Sequence, residues 1–293
     1  MARALRTIAE GIYFGEGPRW HDGRLWFSDF HAHKVCSVAP EGGELRVEVE
    51  LDDQPSGLGW MPDGSVLVVS MRRRELWRRW PDGRLALHAE LGDTARFSAN
   101  DMVVDRAGRA YVGNFGFDLD TALRERGTEG VIADHTTTAI ALVQPDGSVA
   151  VAADGLSFPN GTVITPDGQT LIVAETLGGR LTAFAIAADG SLSDRRLWAE
   201  TWPRIPDGIA LDAEGCIWFA NPIAPECVRI GKGGGVREVI ETPMPCFACM
   251  LGGAGGRTLF ALVAPTSDAE TARAEPLGRL LACEVDVARA GWP

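Results

Sequence analysis

The sequence predicts an all-β protein: a six-bladed β-propeller with four-stranded antiparallel blades, forming a single domain over residues 1–293. Three observations predict it. One phrase returns six times along the chain: a polar residue, a short apolar run, a turn of the Asp-Gly type, and a second apolar run. Second hairpins follow several of these copies. No long stretch keeps a 3.6-residue apolar period, so helix is minor.

The copies run in order from Glu16 to Asp29, Ser56 to Ser70, Asn100 to Gly113, Asn160 to Ala174 and Asp207 to Ala220, with a worn sixth from Phe247 to Val263. Each reads as two strands joined by a tight turn, because a glycine after Asp or a similar residue supplies the positive φ a hairpin needs. The second hairpins join Leu76-Trp77 to Leu85-Ala86 across Pro81–Gly83, and Ala141–Val143 to Val149–Val151 across Pro145–Gly147. Residues Leu5 to Ala9 then supply a strand that closes the ring with the last unit. The third unit is longest because a polar insertion, residues 118–135, reads as a loop or lid.

Composition sets outer limits. The formal net charge of −12 argues against a nucleic-acid partner, which needs a basic stripe. No run of about 18 apolar residues exists, which excludes a helical membrane span. The N-terminus carries Arg3 and Arg6 without an apolar core, so no secretory signal is expected. Six scattered cysteines in a chain of this size read as buried free thiols in a reducing compartment, the cytoplasm. The expected partner is a small molecule, and the expected state is a monomer or small homo-oligomer.

In a propeller the first strand of every blade lines the axis, so residues at equal phase in the repeats meet around it. Ser56, Asn100, Asn160 and Asp207 each lie eight residues before a turn glycine; Glu16 lies seven before, and Ala248 or Cys249 holds the sixth place. Any one of these residues alone also reads as a turn residue. Together they bring two carboxylates and two carboxamides to one point, where they repel unless a cation sits between them. Oxygen-only ligands suit Ca²⁺ first, then Mg²⁺ or Mn²⁺, with Zn²⁺ less favoured. Four protein ligands, Glu16, Asn100, Asn160 and Asp207, would leave positions open for water or substrate.

The same residues carry a resemblance. Glu16–Trp20, Ser98–Asp105, Phe158–Gly161, Pro206–Asp212 and Cys249–Gly253 resemble the gluconolactonase, regucalcin and luciferin-regenerating enzyme family over almost the whole chain; diisopropylfluorophosphatase looks like a more distant cousin. The resemblance implies a six-bladed propeller with one catalytic divalent metal and hydrolysis of sugar lactones. It implies Glu16, Asn160 and Asp207 as metal ligands, and Asn100 as a substrate-contacting or fourth ligand. Asp207 takes the acid/base role, with Asp101, next to Asn100, as the alternative. Asp118 lies where some members contact substrate hydroxyls. Animal members hold an arginine two residues before the asparagine; here Ser98 stands there, and Arg96 is the candidate substrate clamp.

The expected chemistry is metal-assisted opening of an aldonolactone, with Asp207 moving the proton. Two alternatives stay open: an esterase or organophosphate hydrolase in the same site, which predicts an apolar pocket mouth, and a non-enzymatic binding propeller with a structural ion. Weaker patterns read as structure. His31 and His33 form a solvated turn pair, Cys246 and Cys249 are buried thiols rather than a redox motif, and Arg72–Arg74 with Arg78-Arg79 are a solvated strand face or an intersubunit contact. No Gly-x-Ser-x-Gly elbow suggests a serine hydrolase.

Overall fold

In a computed structural model, which describes residues 3–291, the repeated phrase becomes the two inner strands of each blade. β1 (Arg6–Ile12) comes first. Blade one is β2 (Gly15–His21), β3 (Arg24–Asp29), β4 (Lys34–Val38) and β5 (Arg46–Glu50). Blade two is β6 (Pro55–Trp60), β7 (Val66–Ser70), β8 (Glu75–Arg79) and β9 (Leu85–Glu90). Blade three is β10 (Ala99–Val104), β11 (Ala110–Asn114), β12 (Thr138–Val143) and β13 (Val149–Leu156), with helix α1 (Leu119–Ala133) between its middle strands. Blade four is β14 (Pro159–Ile164), β15 (Thr170–Glu175), β16 (Arg180–Ile186) and β17 (Leu192–Glu200). Blade five is β18 (Ile209–Leu211), β19 (Ile217–Asn221), β20 (Glu226–Ile230) and β21 (Val236–Glu241). Blade six is β22 (Cys246–Gly252), β23 (Thr258–Val263), β24 (Gly278–Glu284) and the returning β1, with the short helix α2 (Ala269–Ala274) before β24.

β1 pairs antiparallel with β24, setting Arg6 opposite Ala282 and Glu10 opposite Arg279. The N-terminal strand therefore closes the ring, as the sequence predicts, and gives the sixth blade its fourth, outer strand. Burial falls from axis to rim. β10, β14 and β22 are buried at every residue, while β5, β9 and β21 are mostly exposed or half-buried. Blades cohere through facing apolar sides: Val163, Ile172 and Leu181 of blade four pack against Ile209, Ile217 and Phe219 of blade five. Each such side chain contributes about 1.5–3 kcal/mol by leaving water.

The inner strands approach so closely that the residue after the axial position has almost no room. A Cβ on Gly57 would lie 2.4 Å from the Met102 backbone nitrogen, and one on Gly161 would lie 2.5 Å from that of Ile209. Glycine stands at that phase in blades one, two, four and five (Gly17, Gly57, Gly161, Gly208). Blade three carries Asp101 there and blade six Cys249.

The insertion at 118–135 departs from expectation: it is not a loop but holds α1. The Asp118 carboxylate caps it, accepting from the Thr121 backbone N–H at 3.0 Å and the Thr121 hydroxyl at 2.8 Å. Leu119, Ala122 and Leu123 form one apolar stripe that packs with Phe115, Phe158 and Leu177. Gly127, at φ 65°, breaks the helix before Val131 and Ile132 pack on the same cluster. That stripe spans little more than one turn, too short to register as a sustained helical period.

Candidate functional site

The ring positions meet on one face of the propeller. Glu16, Asn100, Asn160 and Asp207 all line one cavity of about 260 Å³ over the axis, and all four are buried. Buried polar residues at the end of the second strands hold them there. Asp29, ending β3, accepts from the backbone N–H groups of Tyr13 and Phe14 at 3.0 and 3.1 Å, fixing the approach to Glu16. Glu175, ending β15, accepts from Ser157 N–H at 2.9 Å and fixes the approach to Asn160. In blade two, Ser70 donates to Asp53 at 2.6 Å, just before Gln54 and Ser56.

Within the ring the polar atoms are only partly satisfied. The Asn160 amide lies beside the Asp207 carboxylate and favours its charged form. Gly17 N–H donates to Glu16 Oε2 at 2.9 Å, and the Ser56 hydroxyl donates to Asn100 Oδ1 at 3.4 Å. Asp207 Oδ1 and Asn100 Nδ2 are buried without a hydrogen-bond partner. Such orphans are costly. Because a hydroxyl accepts as readily as it donates, a half-turn of the Asn100 amide keeps the Ser56 bond and exchanges the orphaned donor for an acceptor.

The electrostatics point the same way. Burial, then the charges of Asp207 and Asp101, push the Glu16 carboxyl well above its usual range, against the Gly17 hydrogen bond. Burial and then Asp101 do the same to Asp207, against the Asn160 amide. Among the described residues no three His, Cys, Asp or Glu side chains come together as a metal cluster. The ring offers two carboxylates, so a cation here would take its other protein oxygens from amides. The donor set is hard, its excess charge is negative, and an Asp207 oxygen lacks a partner; these features fit a divalent ion.

The remaining candidates separate. Asp101 does not line the cavity; it forms a buried ion pair with Arg19 at 2.8 Å, the two side chains only 6% and 4% exposed. Asp118 is committed to capping α1. With Arg96 it lines a neighbouring cleft rather than the cavity over the ring. Asp120, in the first turn of the helix, lines both, and burial followed by Asp118 raises its carboxyl. The sixth ring position is Ala248, which is buried and brings no donor.

Several cavity residues escaped the sequence reading. His31 lines the cavity instead of forming a solvated pair. Its Nδ1 meets Gln54 Nε2 at 3.0 Å, and burial, followed by the charge of Arg273, lowers its pKa to about 4. Arg72 is no plain strand-face residue: it donates to Gln54 Oε1 at 2.8 Å and lines the cavity. Five phenylalanines, Phe14, Phe30, Phe115, Phe158 and Phe247, form much of the wall. The available signal was phase, since Phe14 and Phe158 stand two residues before Glu16 and Asn160. All six cysteines are free and buried, and the Cys227 thiol contacts those of Cys246 and Cys249.

Residues 14–264 match the family described as SMP-30/Gluconolactonase/LRE-like region, and the chain belongs to that family. It is 29% identical to the pentonolactonase of Haloferax volcanii over 222 residues, covering 74% of this chain and 69% of that protein. It is 26% identical to Xenopus laevis regucalcin over 256 residues, covering 84% and 82%. Among solved structures, a gluconolactonase from Xanthomonas campestris superposes with a TM-score of 0.74 at 25% identity, covering 96% of this chain and 89% of that one. A luciferin-regenerating enzyme shares the fold at a TM-score of 0.81 and 18% identity, covering 98% and 97%. Lactone hydrolysis is thus the activity named among its relatives. Among the described residues no helix is long and apolar enough to cross a membrane.

Proposed function

We propose that this chain is a divalent-metal-dependent lactonase, with Glu16, Asn100, Asn160 and Asp207 as the protein ligands and Ca²⁺ as the first ion to test. One observation carries the reading: two buried, uncompensated carboxylates meet at the floor of a cavity, and Asp207 Oδ1 has no partner there. Bound at the ring, a divalent cation would supply positive charge opposite the lactone carbonyl and lower the pKa of nearby water. The chain's own residues do the rest. Asp207 takes the proton of the attacking water on its carboxylate as the new C–O bond forms. It returns that proton to the ring oxygen as the ester C–O bond breaks, leaving a hydroxy acid. The Asn160 amide favours the charged form of Asp207, and Asn100 and Asn160 contribute oxygens without adding charge.

Sugar-type lactones enter the panel because a pentonolactonase and a gluconolactonase stand among the relatives. Asn100 would contact such a ring from the floor. Arg96 and Asp118, in the adjoining cleft, reach only a substrate that extends past Phe115 and Leu119, which line both spaces. A second reading, a metal-dependent esterase or organophosphate hydrolase, is favoured by the apolar wall. Six free buried thiols support the cytoplasm as the compartment.

The test is hydrolysis of a lactone panel, with aryl esters and an organophosphate as controls, before and after chelation. Lactone turnover lost to chelator and restored by Ca²⁺ or Mn²⁺, with the fold intact by circular dichroism, is the expected result. Turnover that survives exhaustive chelation would refute metal dependence. Turnover of the controls alone would favour the second reading.

A further inference from the structure

We propose that the preferred lactones carry an apolar body, an alkyl or aryl substituent on the ring, and that polyhydroxylated rings are the poorer substrates. This rests on the lactonase reading and names its substrate class. The wall above the ring is built in two tiers. The first lies two residues before the axial position and holds Phe14, Phe158 and Ile205 in blades one, four and five. The second follows the last residue of the second strand and holds Phe30, Met71 and Phe115 in blades one, two and three.

These side chains are locked against one another. Phe14 lies 5.3 Å from Phe30 and 4.8 Å from Phe247 between ring centroids; Phe115 lies 4.8 Å from Phe158, edge to face. On the far side α1 lays Leu119 and Leu123 against the cavity. A preformed aromatic and aliphatic wall of this kind takes up apolar surface without having to order itself.

Polar groups are few and largely spent. Gln54 uses its oxygen on Arg72 and its nitrogen on His31. The Thr176 hydroxyl donates to the Pro206 carbonyl at 2.8 Å. The free guanidinium edge of Arg72, the Asp120 carboxyl and the hydroxyls of Thr128 and Ser267 remain at the cavity margin. A ring with several hydroxyls would give up water contacts against the five phenylalanines without replacing them.

The experiment measures kcat/KM of the metal-loaded protein on γ-lactones with methyl to hexyl substituents, beside glucono-δ-lactone and a pentonolactone. The expected result is a rise of about fourfold per added methylene, with the hexyl compound above both sugar lactones. Leu123→Ser should flatten that slope. Calorimetry of Ca²⁺-loaded protein should show 4-hydroxynonanoate binding at least about tenfold more tightly than gluconate, from about two methylenes' worth of contact. A flat chain-length series, or sugar lactones equal to or better than the hexyl compound, overturns this inference and leaves the lactonase reading standing. If neither lactone class turns over but calorimetry still ranks the apolar acid first, the lactonase reading fails and the apolar site survives. Gluconate binding as tightly as the apolar acid overturns it.

Discussion

Two groups of buried charges meet between the inner strands, and they differ in one respect. Arg19 and Asp101 face each other at 2.8 Å, and Arg19 also donates to the Pro18 carbonyl at 2.7 Å. Arg19 answers that carboxylate directly, although the charge of Asp101 still reaches Glu16 and Asp207. In the ring, Glu16 and Asp207 meet with two neutral amides and no cation of the chain among the ring residues. Similar burial therefore gives opposite outcomes: Asp101 is tied into a salt bridge, whereas Glu16 and Asp207 are pushed toward protonation. A buried ion pair holds inner strands in place; buried like charges are tolerated where a ligand completes them.

Removing a ring carboxylate should have the largest effect. Asp207→Ala should lower kcat/KM by about a thousandfold or more, since it removes both a proposed ligand and the proposed proton acceptor. It should also abolish Ca²⁺ uptake in calorimetry; wild-type turnover in that variant would place the chemistry elsewhere. Asp101→Asn should leave Ca²⁺ uptake intact and cost far less turnover, because Arg19 occupies its carboxylate; a loss matching Asp207→Ala would make Asp101 the proton acceptor.

Breaking the ion pair should show in stability rather than chemistry. Arg19→Ala should destabilise the fold by about 3–5 kcal/mol in urea, because it strands Asp101. The double replacement Arg19→Met with Asp101→Leu should recover most of that loss. A double variant as unstable as the single one would contradict the view that the instability comes from stranding Asp101.

The pH dependence should separate the two groups again. With chelator present, folded Glu16 and Asp207 keep protons that the unfolded chain releases near the ordinary values of 4.5 and 3.8. Their contribution to stability is present at low pH and lost as pH rises through the raised folded values. Ca²⁺ must displace those protons, so its increase in Tm should be greater at pH 8 than at pH 5. At a hundredfold excess over Kd the stabilisation amounts to about 2.7 kcal/mol. A Ca²⁺ shift independent of pH would mean that the ion binds away from these carboxylates.

The smallest effect is expected in α1. Asp118→Ala should cost about 1 kcal/mol through loss of the helix cap, with only a modest change in kcat/KM on lactones confined to the cavity over the ring. A collapse of kcat/KM would instead make Asp118 the substrate contact that the family resemblance implies.

The fold was legible because the turn glycines repeat. Glycine at 64, 108, 168 and 215 fixes the phase from which Ser56, Asn100, Asn160 and Asp207 are counted. That phase brings Asn100, Asn160 and Asp207, with Glu16 one residue off it, to one cavity. Asp101 was less legible: its partner Arg19 stands 82 residues away in another blade, and no local pattern links them. The helix at 119–133 was missed because its apolar face is completed by Phe115, Phe158 and Leu177 from outside the segment.

Local sequence alone therefore determined the strand pairs, the ring count and the identity of the axial oxygens, because hairpin geometry and rotational repetition follow from turn residues a few positions apart. Tertiary structure decided which of those oxygens stay uncompensated, which arginine answers which carboxylate, and that the wall over them is mostly apolar. Those outcomes depend on side chains from different blades meeting across the axis, and the separation of two residues along the chain says nothing about whether they meet.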